Sequence, residues 1–408
     1  MRANHPSRLV RIFSWTGMGL VASGLLACGG SGGGTASTGT LRLALTDAPA
    51  CGYEHVYVTV NQIRVHQSAS AEDSEPGWSE LRIPSQRVDL LSLTNGVLKE
   101  LGSLPLPAGT YQQVRLVLAD NPGNPSPANP LANALVLTGT TNELALSTPS
   151  AQQSGYKLQA RFDVQSGQVA DMVLDFDACR SIVKAGASGR YNLKPVVSVI
   201  KRLTTAIEGY VDPAIAASVL VSTRDPDNQL RSTVPNPTTG KFMLAYLPES
   251  TNYTVVVAGQ NLTTAAVTNV PVSLAMGVTS LNTALSPILP DASAMATVSG
   301  VVSNSTSGLL ADARVSARQT LSTGQVLDVA STGVDSVTAD YSLTLPLAAA
   351  VKAAYASGAA LTFTTDSMVP GRYNLTGTAT GYSTQSTTPQ LDLGAAGSTT
   401  VKNLVLTP

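Results

Sequence analysis

The chain has 408 residues, of which 43% are hydrophobic, 12% charged and 5% aromatic, and its formal net charge is −1. This length favours two to four domains. The 34 Gly and 24 Pro favour short strands joined by tight turns over helical bundles, coiled coils or long disordered tails. Because the sequence has no basic block, we expect no nucleic-acid partner. Three His and three Cys restrict the possible metal and nucleophile chemistry.

The N-terminal segment has the pattern of an export signal. Three arginines within the first 11 residues precede an uncharged stretch, residues 12–27, that is too short for a stable membrane span. It ends in Leu25-Leu26-Ala27-Cys28, which resembles the bacterial lipoprotein box. The resemblance implies that residues 1–27 are a signal peptide, removed before Cys28, which is then lipidated. The alternative is an ordinary signal peptide followed by an incidental cysteine.

Residues 28–39 are rich in Gly and Ser and have the composition of a flexible tether. Residue 29 is Gly rather than Asp. By resemblance to lipoprotein sorting in bacteria with two membranes, this implies the outer membrane, either its periplasmic face or the cell surface. The membrane partner is then reached through the lipid on Cys28.

Two cysteines remain beyond the lipidation site, Cys51 and Cys179. Outside the cytoplasm such a pair is most simply a disulfide. Closing so long a loop contributes about 4–5 kcal/mol in the chain-entropy model. The alternative is a catalytic Cys51 assisted by His55 or His66.

Residues 40–201 predict one domain made of many short strands. Residues 41–47 alternate between apolar and polar side chains, as in a half-buried strand, and residues 55–66 form a long β-rich run. Turn signals such as Thr94-Asn95-Gly96 separate such runs. The pattern predicts an antiparallel β-sandwich or barrel-like domain.

From residue 204 onward the sequence repeats itself. Short motifs of residues 204–288 return in the same order in residues 295–408, for example Ile-Glu-Gly-Tyr-Val at 207–211 and Val-Ser-Gly-Val-Val at 298–302. The spacing is that of domains rather than of a solenoid. We therefore predict two further domains, each one copy of the same unit.

The second copy carries an insertion, residues 347–356, that is rich in Ala. Its composition predicts a short helix that ends at Ser357-Gly358. Such a helix would be a lid or a partner-binding element, or simply a decorated surface loop.

Four motifs of the first domain occur together: Leu-Thr-Asp-Ala-Pro at 45–49, the nine residues 88–96, Leu-Pro-Ala-Gly-Thr-Tyr at 106–111, and Leu-Asp-Phe-Asp at 174–177. Through them, residues 40–200 closely resemble a bacterial lipoprotein domain known as domain of unknown function 4382. The resemblance implies a cell-envelope context and no particular activity.

The two repeated units share an Ile/Val-x-Gly-x-Val first strand, and the second unit adds Pro-Gly-Arg-Tyr-Asn-Leu at 370–375 and Gly381-Tyr382. These pieces resemble carboxypeptidase regulatory-like modules, which have transthyretin-like or Ig-like β-sandwich folds. The resemblance implies stalks, spacers or binding modules rather than enzymes. His55 and His66 do not have the spacing of a zinc site.

Asp175 and Asp177 lie two residues apart on a predicted strand, so their side chains project from the same face. With Asp171 or Asp89 they are candidate ligands for a hard cation such as Ca²⁺, or a paired acid and base for glycoside hydrolysis. The simpler explanation is that they are solvent-facing or turn-capping acids beside the strand that leads to Cys179. Asp47, before Ala48-Pro49, predicts an Asx-type turn.

Trp78 is the single tryptophan beyond the signal segment and follows an acidic loop. If exposed, it would stack on a sugar; if packed, it anchors an edge of the core.

Together these features predict an all-β, three-domain envelope lipoprotein without a catalytic constellation or a cofactor. The leading hypothesis is a binding or adhesion protein with a carbohydrate or protein ligand. The alternatives are a structural or assembly lipoprotein in the periplasm, and a glycan hydrolase that uses Asp89, Asp175 and Asp177.

Overall fold

The computed structural model describes residues 37–48, 52–148, 154–306 and 308–408. Over these ranges the protein consists almost entirely of β-strands, and the two α-helices found there are single turns, α1 (Ala178–Ser181) and α2 (Pro213–Ala216). The predicted all-β fold class is confirmed. Residues Ser37–Pro408 form one compact unit. No helix within the described ranges has the length and apolar character to cross a membrane.

We call residues 37–201 the first module. Its strands run in the order β1 (Thr38–Ala48), β2 (Tyr53–His66), β3 (Ser79–Asp89), β4 (Lys99–Pro107), β5 (Gly109–Leu118), β6 (Ala134–Leu137), β7 (Glu143–Ser147), β8 (Tyr156–Val164), β9 (Val169–Asp177), β10 (Ile182–Lys184), β11 (Tyr191–Leu193) and β12 (Val197–Lys201). Short 3₁₀ helices lie at Leu90–Leu93 and Gly186–Ser188.

Two sheets form the first module, a four-stranded sheet in the order β12-β9-β1-β4 and a sheet in the order β10-β11-β7-β6-β2-β5-β8 with β3 also on β2. Most pairs are antiparallel, but β1 runs parallel to β9 and β11 runs parallel to β7. The alternation of β1 buries Leu41, Leu43 and Leu45 completely in the core between the sheets. The opposite face of β1 and β9 carries polar and charged residues, which matters for the contacts between modules.

We call residues 204–288 the second module. Its strands are β13 (Ala206–Tyr210), β14 (Val219–Arg224), β15 (Leu230–Thr233), β16 (Lys241–Ala245), β17 (Ser250–Gly259), β18 (Ala265–Val272) and β19 (Val278–Ser280). One sheet has the order β16-β13-β19 and the other contains β15-β14-β17-β18. Their facing sides enclose a core that includes Ile207, Phe242 and Tyr253.

We call residues 295–408 the third module. Its strands are β20 (Met295–Asn304), β21 (Arg314–Thr320), β22 (Val326–Gly333), β23 (Asp340–Pro346), β24 (Val351–Ala354), β25 (Thr364–Thr365), β26 (Arg372–Thr378), β27 (Gln385–Ser386), β28 (Leu391–Asp392), β29 (Thr399–Val401) and β30 (Leu404–Leu406). One sheet has the order β23-β20-β29 with β30 also on β20, and the other β22-β21-β26-β27 with β28 also on β26. The first strands of the second and third modules each pair antiparallel with one strand and parallel with a late one.

The helix predicted at residues 347–356 is wrong. The segment contains β24, which pairs in parallel with β18 of the second module and antiparallel with β25. Val351 N donates to Thr264 O at 2.9 Å and Tyr355 N donates to Thr268 O at 2.9 Å. Those bonds satisfy backbone groups at the edge of another module's sheet, and this tertiary pairing outweighs the weak helical preference of an Ala-rich segment.

Candidate functional site

The acidic residues of β9 lie where the first module meets the second. Asp175 is mostly buried, and Arg231 of β15, which is 3% exposed, donates Nη1 to its Oδ2 at 2.9 Å. Burial raises the pKa of Asp175, and the Arg231 charge opposes that rise. Asp175 therefore fastens two modules together through a buried ion pair.

The side chains of Asp177 and Asp47 both accept hydrogen bonds from backbone N–H groups of α1. Asp177 caps the helix, accepting from Arg180 N at 2.9 Å, and Asp47 Oδ1 accepts from Ala178 N at 3.1 Å. Asp47 Oδ2 is buried and has no hydrogen-bond partner among the described residues. Burial, followed by the charge of Asp177, raises the pKa of Asp47 well above its usual range.

The predicted Asx-type role of Asp47 is not what the structure shows, because its partner lies 131 positions away in the sequence. An Asx turn would also need an N–H two residues on, where Pro49 has none. The sequence signal for this contact was the joint presence of the Leu-Thr-Asp-Ala-Pro and Leu-Asp-Phe-Asp motifs, which lie on the paired strands β1 and β9.

The other two candidate cation ligands have different partners. Asp171 pairs with Arg42 at 3.2 Å. Asp89 caps the 3₁₀ helix Leu90–Leu93 and accepts from His55 Nδ1 at 2.7 Å. Within the described ranges, no three His, Cys, Asp or Glu side chains are grouped to hold a metal ion. The geometry thus favours the capping and pairing interpretation of Asp89, Asp171, Asp175 and Asp177 over the calcium site.

Trp78 holds its own loop against the eight-stranded sheet. Its Nε1 donates to Glu72 O at 2.9 Å, and the guanidinium carbons of Arg64 and Arg115 lie 4.6 and 4.8 Å from the indole centroid. The ring also contacts His66 at 5.0 Å between centroids. These cation–π and ring contacts use the indole as an anchor rather than as a free stacking surface.

The two histidines of the described chain have structural partners. Ser68 N donates to His66 Nδ1 at 2.9 Å, so Nε2 carries the proton and donates to Pro76 O at 3.1 Å. His55 stacks on Tyr57 with centroids 5.4 Å apart, and the Arg87 guanidinium lies 3.7 Å from the Tyr57 centroid. The predicted dyad of Cys51 with either histidine involves a residue outside the described ranges.

The cysteine predictions fall largely outside the described residues. Cys28 and Cys51 are both outside them. Cys179 lies in α1 and is disulfide-bonded. The pairing of Cys51 with Cys179 stays a prediction.

The turn Asn95-Gly96 of the first module docks on β15 and β16 of the second. Asn95 Oδ1 accepts from Met243 N at 3.0 Å, Asn95 Nδ2 donates to Val234 O at 3.1 Å, and Tyr246 OH donates to Gly96 O at 2.6 Å. Gly96 has a φ of +78°, and a Cβ there would lie 2.9 Å from Ala245 Cβ. Only glycine suits both the turn and this close approach.

The third module contacts both of the others. Arg224 of β14 forms two hydrogen bonds with Asp328 of β22, at 2.6 and 2.7 Å, and Arg318 adds a third at 2.9 Å. Asp335 Oδ2 accepts from Gly186 N of the first module at 2.8 Å, and Asn192 Nδ2 donates to Ser336 Oγ at 2.9 Å. Each module is therefore joined to the other two, and not only to its neighbour in the sequence.

Residues 38–195 match the model of a family described as domain of unknown function (DUF4382). This confirms the resemblance found in residues 40–200, and it covers the first module only. No curated protein matches the chain.

Three solved structures illustrate what the chain is similar to. The Bacillus anthracis TIE protein is 12% identical, with 91% of this chain and 51% of that chain covered and a TM-score of 0.20. Shaft pilin SpaA from Lactobacillus rhamnosus GG is 11% identical, with 50% and 96% covered and a TM-score of 0.18. BcpA, the major pilin subunit of Bacillus cereus, is 10% identical, with 91% and 99% covered and a TM-score of 0.18. The chain spans about half the length of the first of these, and scores this low carry no argument about function.

Proposed function

We propose that this protein is a non-enzymatic, lipid-anchored binding protein of the bacterial cell envelope, with its three β-modules locked together as one binding body. The observation that carries the proposal is that the candidate catalytic carboxylates already have structural partners. Asp175 and Asp177 are engaged in an inter-module ion pair and a helix cap, and Asp89 caps a 3₁₀ helix and binds His55. Groups fixed in this way hold the fold and are poorly placed to act as a paired acid and base.

The lipid anchor is the part of the proposal that rests on sequence. The run that ends at Cys28 and the Gly-rich residues after it support export, lipidation and a tether to the outer membrane. A rigid body on such a tether suits the recognition of a carbohydrate or a protein in or outside the envelope. The match of residues 38–195 to a family without assigned function is compatible with this role and does not define it.

The anchor is tested by expressing the full chain and a Cys28→Ser variant in a two-membrane bacterium and separating the fractions with detergent. The wild-type chain is expected in the detergent phase and the variant in the aqueous phase. Equal partitioning of the two would contradict lipidation at Cys28.

Surface binding is tested by protease treatment of intact cells, probed with an antibody to the third module. Loss of the antibody signal is expected for a surface adhesin, and the purified full-length chain is then applied to arrays of neutral and anionic glycans. Protection in intact cells, with digestion only after rupture of the outer membrane, would replace adhesion by a periplasmic structural role.

A further inference from the structure

The second module leaves one sheet edge without a partner strand. Strand β19 pairs in parallel with β13, through bonds such as Ala206 N to Gly277 O at 3.1 Å and Leu281 N to Glu208 O at 2.9 Å. In a parallel ladder alternate residues face the neighbouring strand, so the N–H and C=O groups of Val278 and Ser280 point away from β13. Within the described ranges no strand pairs with that outer side.

A groove of about 580 Å³ runs beside this edge. One wall is residues 276–283, and the other is Tyr355 with residues 357–360, which follow β24 directly. None of the described residues that line it is charged. The lining belongs largely to an unusual stretch of sequence, since residues 250–290 contain no charged residue at all.

Large apolar side chains are exposed in β19 and in the segments before and after it. Leu274, Met276 and Val278 are 61%, 46% and 42% exposed, and Leu285 is 94% exposed. Soluble proteins seldom leave such side chains clustered on the surface unless they bind a partner.

Several other edge strands of the described chain carry the charges or prolines that normally discourage strand pairing. They include Lys99 and Pro105 in β4, Lys201 in β12, Lys241 in β16 and Asp340 in β23. Strand β19, Val-Thr-Ser, carries neither. The short edge strands β25, β27 and β29 also lack charge and proline, so the groove and the exposed apolar side chains beside β19 are what mark this edge as open for pairing.

We propose that the β19 edge and its groove form a strand-addition site for an extended, uncharged segment of a partner protein with alternating apolar side chains. The site deepens the binding function proposed above and rests on it. The groove continues an existing interface of the same kind, because β24 of the third module already adds to the β18 edge of the second. Backbone hydrogen bonds would supply affinity, and Met276 and Val278 would contact alternate side chains of the segment.

A partner segment fits this edge better than a second copy of the chain. The edge strand is three residues long. Two such edges pairing with each other would fall well short of the roughly 1,200–2,000 Å² that stable protein interfaces bury.

The test is selection of a phage-displayed library of random 12-residue peptides on the purified full-length chain in detergent micelles. The enriched peptides are synthesised and their affinities are measured by fluorescence polarisation for the wild type, for Val278→Lys, and for Val326→Lys as the control. Val326 lies in the third module and is 48% exposed, close to the 42% of Val278. Each peptide is also made with alternate backbone amides methylated, and thermal unfolding confirms that both variants are folded.

We expect the enriched peptides to be uncharged and to have alternating apolar residues. Val278→Lys should bind them at least tenfold more weakly than the wild type does, and the methylated peptides should bind the wild type at least tenfold more weakly than the unmodified ones. The affinity of Val326→Lys should equal that of the wild type. The proposal is overturned if no peptide is enriched, or if the enriched peptides bind Val278→Lys as well as they bind the wild type. It is also overturned if the wild type self-associates and Val278→Lys does not, because a second copy then fills the edge. Glycan binding without peptide binding would remove this site and leave the proposed function intact.

Discussion

At the scale of single residues, the surroundings of Asp47 favour the protonated, neutral form of its carboxyl group. It is buried close to Asp177, Asp175 and Asp89, and all three charges raise its pKa further. Because the folded pKa lies above the unfolded value, this group favours the folded state most at low pH. That contribution is lost as the pH rises from the unfolded pKa through the folded one.

We therefore expect Asp47→Asn to be more stable than the wild type at pH 7, because it removes a charge that burial and the neighbouring carboxylates disfavour. The amide keeps the acceptor for Ala178 N and adds a donor where Oδ2 has no partner. Urea unfolding at pH 4 and pH 7 measures the difference, which should shrink at pH 4. A variant less stable than the wild type at both pH values would refute the assignment.

Arg231 gives a second prediction, because it is the buried cation opposite Asp175. Arg231→Met should lower the free energy of unfolding by about 3–5 kcal/mol, since it leaves a buried carboxylate without its cation. Adding Asp175→Asn in the same chain should recover much of the loss, and a double-mutant cycle by urea unfolding measures it.

The matched control is Arg42→Met. Arg42 pairs with Asp171 at 3.2 Å, but its side chain is 49% exposed. Solvent-exposed pairs contribute less than about 1 kcal/mol, so this variant should change little. Equal losses for Arg42→Met and Arg231→Met would show that burial does not set the strength of the pair between the modules.

The sequence anticipated part of the chemistry at these residues. The shared face of Asp175 and Asp177 follows from strand periodicity, and capping was one of the explanations for such acids. The partner Arg231 lies 56 positions away in another module, and no local pattern connects the two. The same limit applies to Trp78, whose cationic neighbours come from β2 and β5.

At the scale of elements, β24 is the least predictable strand. An Ala-rich stretch favours a helix when it is considered alone, and only the uncovered edge of β18 explains its extended form. The repeated order of strands in the second and third modules, in contrast, is visible as repeated short motifs. The local alternation of apolar and polar residues predicts that a strand exists. Which strand it pairs with depends on the free sheet edges of the other modules.

The role of β24 is tested with Val351→Pro. Proline removes the N–H that Val351 donates to the buried Thr264 O, so we expect about 1–3 kcal/mol of destabilisation and faster amide exchange in β18. Val351→Ala keeps the backbone donor and should have a smaller effect. If hydrogen exchange in β18 is unchanged in the proline variant, then the strand addition is not holding the two modules together.

At the scale of the whole molecule, the domain-sized repeat suggested independent units in a row, yet the structure joins each module to the other two. The residues that make these joints are ordinary turn and strand residues, such as Asn95, Arg224 and Asp335, and their partners lie about 100 to 150 positions away. Nothing in a single sequence distinguishes them from surface residues. Their effect is to make the stability of one module depend on its neighbours.

This dependence predicts one cooperative unfolding transition rather than three. Asp328→Ala leaves the Arg224 and Arg318 guanidinium groups without their shared carboxylate, and we expect the single calorimetric transition to move down by about 4–6 °C as a whole. Arg372→Ala is the control, because its pair with Asp392 spans 3.7 Å between exposed side chains and should shift the midpoint by less than about 1 °C. Separate calorimetric transitions in the wild type would contradict this prediction. So would an Asp328→Ala variant in which one peak moves and the other peaks stay in place. Either result would mean that the modules unfold independently and that the contacts between them contribute little to stability.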